Sequence, residues 1–133
     1  MDISVSPLML DEVQRMNLLI NLLFTCVVAV NGIKIIPSFR TGNFETLKLL
    51  RSSVGSPSMW VMGSVGTQRT KNNAFYEFLF RTKCLYLLPK VILCYGKPNK
   101  HTINLIKEYD SDLRIYKDFR TLSYTSEIKY ERL

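Results

Sequence analysis

The stretch whose reading decides the fold is residues 107–119, "KEYDSDLRIYKDF". Two acids, Asp110 and Asp112, run straight into Leu113-Arg114-Ile115-Tyr116-Lys117, an alternation of apolar residues with basic or aromatic ones. Successive side chains on a strand point to opposite faces. Leu113 and Ile115 therefore share one face, and Arg114 and Tyr116 the other. The spacing predicts a half-buried strand whose outer face offers a guanidinium and a phenol, with the Lys117 ammonium beside them.

Upstream, "KVILCYG" at 90–96 is strand-like and ends in a Gly-Lys-Pro-Asn-Lys turn. "HTINLIKEY" at 101–109 alternates apolar and polar residues and reads as a further strand. "AFYEFLFRTKCLYLL" at 74–88 satisfies both the helical and the strand period, and Pro89 breaks it. Between Gly55 and Asn73, Gly, Ser and Asn are frequent. Met59–Met62 is a short apolar candidate strand there, and Arg69 and Lys71 sit in a polar loop.

The first third reads as helix, strand, helix. "LLINLLFTCVVAV" at 18–30 is thirteen residues long, and a membrane span needs about twenty. Asn17, Asn21, Thr25 and Asn31 recur along one side. The expectation is a buried amphipathic helix starting near Asp11, with Leu19, Ile20, Leu23 and Val27 on its core face and no membrane span. Asp11 and Glu12 suit its N-terminus. Asn31-Gly32 signals a turn, "IKIIPSF" a strand closing at Pro37, and "NFETLKLLRSS" a helix ended by Gly55 and Pro57.

The expected fold class is α+β. A helix-strand-helix-strand unit precedes a strand-rich second half, in one small domain of 133 residues. Within it, 1–54 form the helix-strand-helix part, 55–84 a divergent insertion or strand region, and 85–133 a basic strand region.

Charge narrows the function. The net charge is +7, and from Lys34 to Lys107 there are twelve Lys or Arg against two acids, Glu45 and Glu77. Such a block points to a polyanionic partner or an acidic membrane surface. Lys and Arg release counterions from phosphates, and Tyr or Arg planes pack on riboses and bases. The candidate RNA-binding residues are Lys34, Arg40, Arg69, Lys71, Lys97, Lys100, His101, Arg114, Tyr116, Lys117 and Arg120.

Catalytic signatures do not emerge. "GSVG" at 63–66 lacks the Lys-Ser/Thr of a phosphate loop, and there is no G-x-S-x-G. The acids near Tyr109 are expected to shape a turn. His101 is the single histidine, which excludes a His-rich metal site, and Cys26, Cys84 and Cys94 form no C-x-x-C pair. They read as buried free thiols. No enzyme, cofactor or metal is expected.

"INLIKEYDSDLRIYKDFRTL" resembles the stretch of the small-subunit ribosomal protein eight family in which a strand and a turn lead into Leu-Arg-Ile-Tyr-Lys and a Lys/Asp-rich link ending in Leu. Ile103, Ile106, Leu113, Arg114, Ile115, Tyr116, Lys117 and Leu122 carry the likeness. "VILCYGKPN" is similar to the family's preceding strand and Gly-Lys turn. "NGIKIIPSF" and "FETLKLLRSSVG" are similar to its first strand and second helix. The order of elements agrees over residues 14–122, except 55–84. Two departures stand out. The family's Arg-Asn pair in the first helix is replaced by Leu22-Leu23-Phe24-Thr25, and its Ser-Thr-Ser-Lys-Gly loop has no counterpart after Ser123, Thr125 and Ser126.

The resemblance implies a divergent organellar member, mitochondrial first and of a relict plastid second, with a truncated C-terminal lobe. The opening "MDISVSPLMLDE" has neither a secretory flank nor a mitochondrial presequence. A gene inside the organelle or a removed leader would account for that. The implied partners are small-subunit ribosomal RNA and neighbouring small-subunit ribosomal proteins, with the C-terminal lobe either lost or completed by a separate chain. A small basic viral matrix or RNA-binding protein is the alternative, and an interaction module meeting an acidic protein is a third reading.

Overall fold

The computed structural model describes residues 3–63, 73–117 and 130–132. The composition is mixed α+β, as the sequence indicates, and all four strands of the described residues lie after residue 58. The chain divides into two compact units, Met1–Pro57 and Ser58–Leu133.

In the first unit, helix α1 spans Asp11–Val30 and helix α2 spans Phe44–Val54. Asn43 caps α2 by accepting from the Thr46 N–H at 3.0 Å, and Gly55, at φ 72°, ends it. Leu47 and Leu50 are buried as their spacing predicts, whereas Phe44 is exposed. The two helices are joined by a knot of amides around Gln14, which is 1% exposed. Its Oε1 accepts from the Asn43 N–H at 2.7 Å, and its Nε2 donates to the Met9 carbonyl at 2.8 Å. Asn43 Nδ2 donates to Asp11 Oδ1 at 2.7 Å.

Further along α1, Asn17 donates to the Ser4 carbonyl. Asn21 both accepts from the Ile3 N–H at 2.8 Å and donates to the Ile3 carbonyl at 2.7 Å. Residues 3–9 therefore run as a strap along the amide row of α1. The expected core face is corrected here. Leu19, Leu23 and Val27 are exposed, and Leu18 is the buried leucine. The amides lie on the covered side because the strap's unpaired backbone needs partners.

"IKIIPSF" is also corrected: it forms no regular strand, with only a bridge at Ser38. Its β-branched residues fit a pleated surface, but among the described residues no strand pairs with 33–37.

The second unit holds a sheet of β1 (Met59–Gly63), β2 (Val91–Tyr95), β3 (Asp112–Tyr116) and β4 (Tyr130–Arg132), in that order. β1, β2 and β3 are parallel, and β4 is antiparallel to β3. Helix α3 (Asn73–Leu87) links β1 to β2, and helix α4 (Lys100–Glu108) links β2 to β3. The stretch that fits both periods is thus helical, and "HTINLIKEY" is corrected from strand to helix. Asn99 caps α4 by accepting from the Thr102 N–H at 2.7 Å, and its buried residues Leu105 and Ile106 are adjacent. Parallel neighbours need such crossovers, and right-handed ones in this strand order set both helices on one face.

That face is the core. Trp60 and Met62 of β1, Ile92 and Cys94 of β2 and Leu113 of β3 are buried in register, with Cys84 and Leu87 of α3. β3 matches the reading of its sequence: Leu113 is buried, while Arg114 and Tyr116 are half-buried on the opposite face. Asp110, at φ 54°, makes the turn before it. Asp112 has a different role from the expected one. It starts β3, and its Oδ2 accepts from Arg114 Nε at 3.0 Å on the same face.

Of the cysteines, Cys84 and Cys94 are buried, but Cys26 is exposed on α1. Burial pushes the Cys84 thiol up to about 12 and the Cys94 thiol up to about 11.

These placements predict a contrast along α1. Leu18→Ala should cost about 2–5 kcal/mol, whereas Leu23→Ala should stay within about 0.5 kcal/mol. Gly42→Ala would place a Cβ 1.8 Å from Gln14 Oε1, and should cost about 1–3 kcal/mol by expelling a buried amide from its partners. Urea unfolding of the three variants measures all of these.

Candidate nucleic-acid interface

A parallel sheet sends its strands out along one edge, and sequence-distant residues meet there. β2 leaves the sheet at Tyr95, and the turn begins with Gly96 at φ 92°. The Gly96 N–H donates to the Tyr116 carbonyl at 2.9 Å, which ties this exit to the end of β3. Tyr95 is the register partner of Tyr116. Lys97 follows in the turn, Lys100 opens α4, and Lys117 leaves β3; all three are exposed.

Lys97, Lys100, Tyr116 and Lys117 thus share the carboxyl edge of the sheet. The N-terminal end of α4 adds its partial positive charge. Tyr95, which the sequence reading did not select, stands at the same edge and is 41% exposed. Its signal was its place directly before the Gly-Lys turn. The arrangement joins two ring systems to three ammonium groups, a combination suited to phosphate and ribose or base contact.

His101 has an internal partner. Its Nε2 lies 3.0 Å from Glu77 Oε2. Glu77 Oε1 accepts from Arg81 Nε at 2.9 Å, and Arg81 Nη1 donates to Glu108 Oε2 at 2.6 Å. This chain of hydrogen bonds and ion pairs clips α3 to α4, and it was not legible in a sequence where His101 lies 24 positions from Glu77 and Glu108 lies 27 from Arg81. The Arg81 hydrogen bond is the main reason that the Glu77 carboxyl titrates below its usual range, with His101 adding to it. The Glu108 hydrogen bond does most to raise Arg81 above the ordinary guanidinium value.

Arg114 lies two residues further into β3 than Tyr116, with its guanidinium held by Asp112. Lys34 is exposed just after α1, and Arg40 is half-buried; both belong to the first unit and are not part of this edge. Arg69, Lys71 and Arg120 lie outside the described residues. Among the described residues, no cluster of three or more His, Cys, Asp or Glu side chains could hold a metal ion.

Compared with protein-family models, curated proteins and solved structures, the chain matches none.

The depressed Glu77 pKa carries a pH signature. A carboxylate lowered in the folded state adds stability above its unfolded pKa, and this is lost as pH falls through the folded value. The Tm difference between the wild-type protein and Glu77→Gln should be widest near neutrality. It should close as pH drops below the ordinary value of 4.5. Thermal melts across that range check the closure.

Proposed function

We propose that the chain is a structural, rRNA-binding protein of the small subunit of a mitochondrial ribosome, supporting subunit assembly and translation. The observation that carries the reading is the gathering of Lys97, Lys100 and Lys117 with Tyr95 and Tyr116 at one sheet edge. The sequence likeness of "DLRIYK" and "VILCYGKPN" to the small-subunit ribosomal protein eight family supports it from a separate direction. In this reading the chain performs no reaction. It neutralises phosphate repulsion and holds helices of the small-subunit RNA while neighbouring ribosomal proteins join.

A small basic viral matrix or RNA-binding protein is the second reading, favoured by the exposed apolar surface of α1. Sedimentation separates the two. A ribosomal protein travels with small subunits in gradients rich in Mg²⁺, and a matrix protein travels with membranes or virions.

The interface itself is tested by salt. Replacing Lys97 and Lys100 together by Ala should weaken binding to unrelated RNA sequences alike. It should also flatten the log-affinity versus log-salt slope by about two units. An unchanged slope would show that the turn does not meet phosphate. His101→Ala, whose ring is engaged by Glu77, should change the slope less.

A further inference from the structure

The register of the sheet sets more than two rings in line. Gly63 pairs with Tyr95, Tyr95 with Tyr116, and Tyr116 with Tyr130. Register partners on neighbouring strands share a face, so one row crosses all four strands as Gly, Tyr, Tyr, Tyr. Three of the chain's seven tyrosines fall in it, and Gly63 adds no side chain beside Tyr95.

Alternation fixes which face the row occupies. Trp60, Met62, Ile92, Cys94 and Leu113 are buried on the side of the crossover helices, so the tyrosine positions lie on the side turned away from α3 and α4. Tyr95 is exposed there and Tyr116 half-buried. The next row inward on the same face is Val61, Leu93 and Arg114, all half-buried.

The cations stand on the outer side of the tyrosine row. Lys97 comes two residues after Tyr95, Lys117 directly follows Tyr116, and Lys100 opens α4; all three are exposed. Outward from the sheet, ring surface therefore comes first and ammonium groups second. A matching ligand carries flat groups along one side and negative charge along the other. Single-stranded RNA has that form, because its phosphates run along one side and its unpaired bases can turn towards the rings. Duplex RNA keeps its base faces stacked inside, so it can use the lysines but not the tyrosines. An acidic peptide would likewise engage only the lysines. A four-stranded sheet whose aromatic residues stack two or three splayed bases is a known means of holding single strands, and such stacking accepts any base.

We infer that Tyr95 and Tyr116 stack on unpaired bases of single-stranded RNA, while Lys97, Lys100 and Lys117 take its phosphates along the outer edge. The inference rests on the RNA-binding reading and narrows its ligand to unpaired segments beside the RNA helices.

Fluorescence anisotropy with three labelled probes of equal length tests it: an oligouridylate, the same strand without its bases, and an RNA duplex. The wild-type protein should bind the oligouridylate about fivefold or more tighter than the abasic strand. Tyr95→Leu with Tyr116→Leu should remove that preference. It should leave duplex affinity and the salt slope unchanged, since no cation is lost, and Tyr95→Phe with Tyr116→Phe should keep the preference. Thermal melts check that the leucine pair folds; if it does not, the wild-type comparison of the two single strands decides alone. Lys97→Ala with Lys100→Ala should weaken all three probes. Equal binding of the abasic strand and the oligouridylate by the wild-type protein overturns the inference. So does a folded leucine pair that retains the preference. A dimer that the leucine pair dissociates would overturn it too, by making a second copy the occupant of the row. If the wild-type protein binds none of the three probes, the RNA-binding reading itself falls, and the stacking inference with it.

Discussion

Backbone groups that have left regular structure must still be satisfied, and in the first unit this duty falls on the amide side chains of one helix. Gln14 holds the Asn43 N–H and the Met9 carbonyl from a fully buried position, and Asn21 makes a two-point bond to Ile3. Everything else in the unit follows from that choice of face. The strap lies on the amide row, α2 begins where Asn43 is pinned, and Gly42 is glycine because the Gln14 amide occupies the space of a Cβ. Most of the apolar residues of α1, Leu18 apart, are left facing outward.

The second unit obeys a different constraint, the register of three parallel strands. Once Ile92 sits opposite Leu113 and Trp60, the core face is filled and the polar alternates are turned away together. The same register brings Tyr95 level with Tyr116. A lysine-bearing turn and the end of a strand, about twenty positions apart in the chain, become neighbours. The chain of polar contacts from His101 through Glu77 and Arg81 to Glu108 then holds the two crossover helices side by side.

Much of the sheet was legible, "DLRIY" because it alternates with a period of two and the other two because they are short, β-prone apolar runs between breakers. "VILCY" and "DLRIY" are strands in the structure, and the Met59–Met62 run is β1. Residues 101–109 were misleading because Ile103 and Leu105 alternate with polar neighbours. The decisive signal was the Asn99 cap followed three residues later by Thr102, with Leu105 and Ile106 adjacent rather than alternate. "IKIIPSF" failed in the opposite way, since strong β propensity has no effect without a strand to pair with. For α1 the helix and its acidic start were readable, but the buried side was inverted. Asparagines look like a solvated face until another segment of the chain is found bonded to them, and such a long-range bond leaves no local trace. Of the candidate site, the residues beside the two strand ends could be assembled from the sequence. Lys34 and Arg40 belong to the other unit, and the internal engagement of His101 and Arg114 needed coordinates.

The distribution of thiols gives the molecule a built-in chemical clock. Cys26 stands exposed on the helix of the first unit, whereas Cys84 and Cys94 lie buried in the second, their deprotonation suppressed by burial. Alkylation requires the thiolate, so a maleimide or iodoacetamide reagent marks Cys26 in the native protein and must wait for opening of the sheet unit to mark the other two. Two labelling rates in one chain thus record two distinct events, surface access in the first unit and the breathing of the core in the second, without any engineered probe.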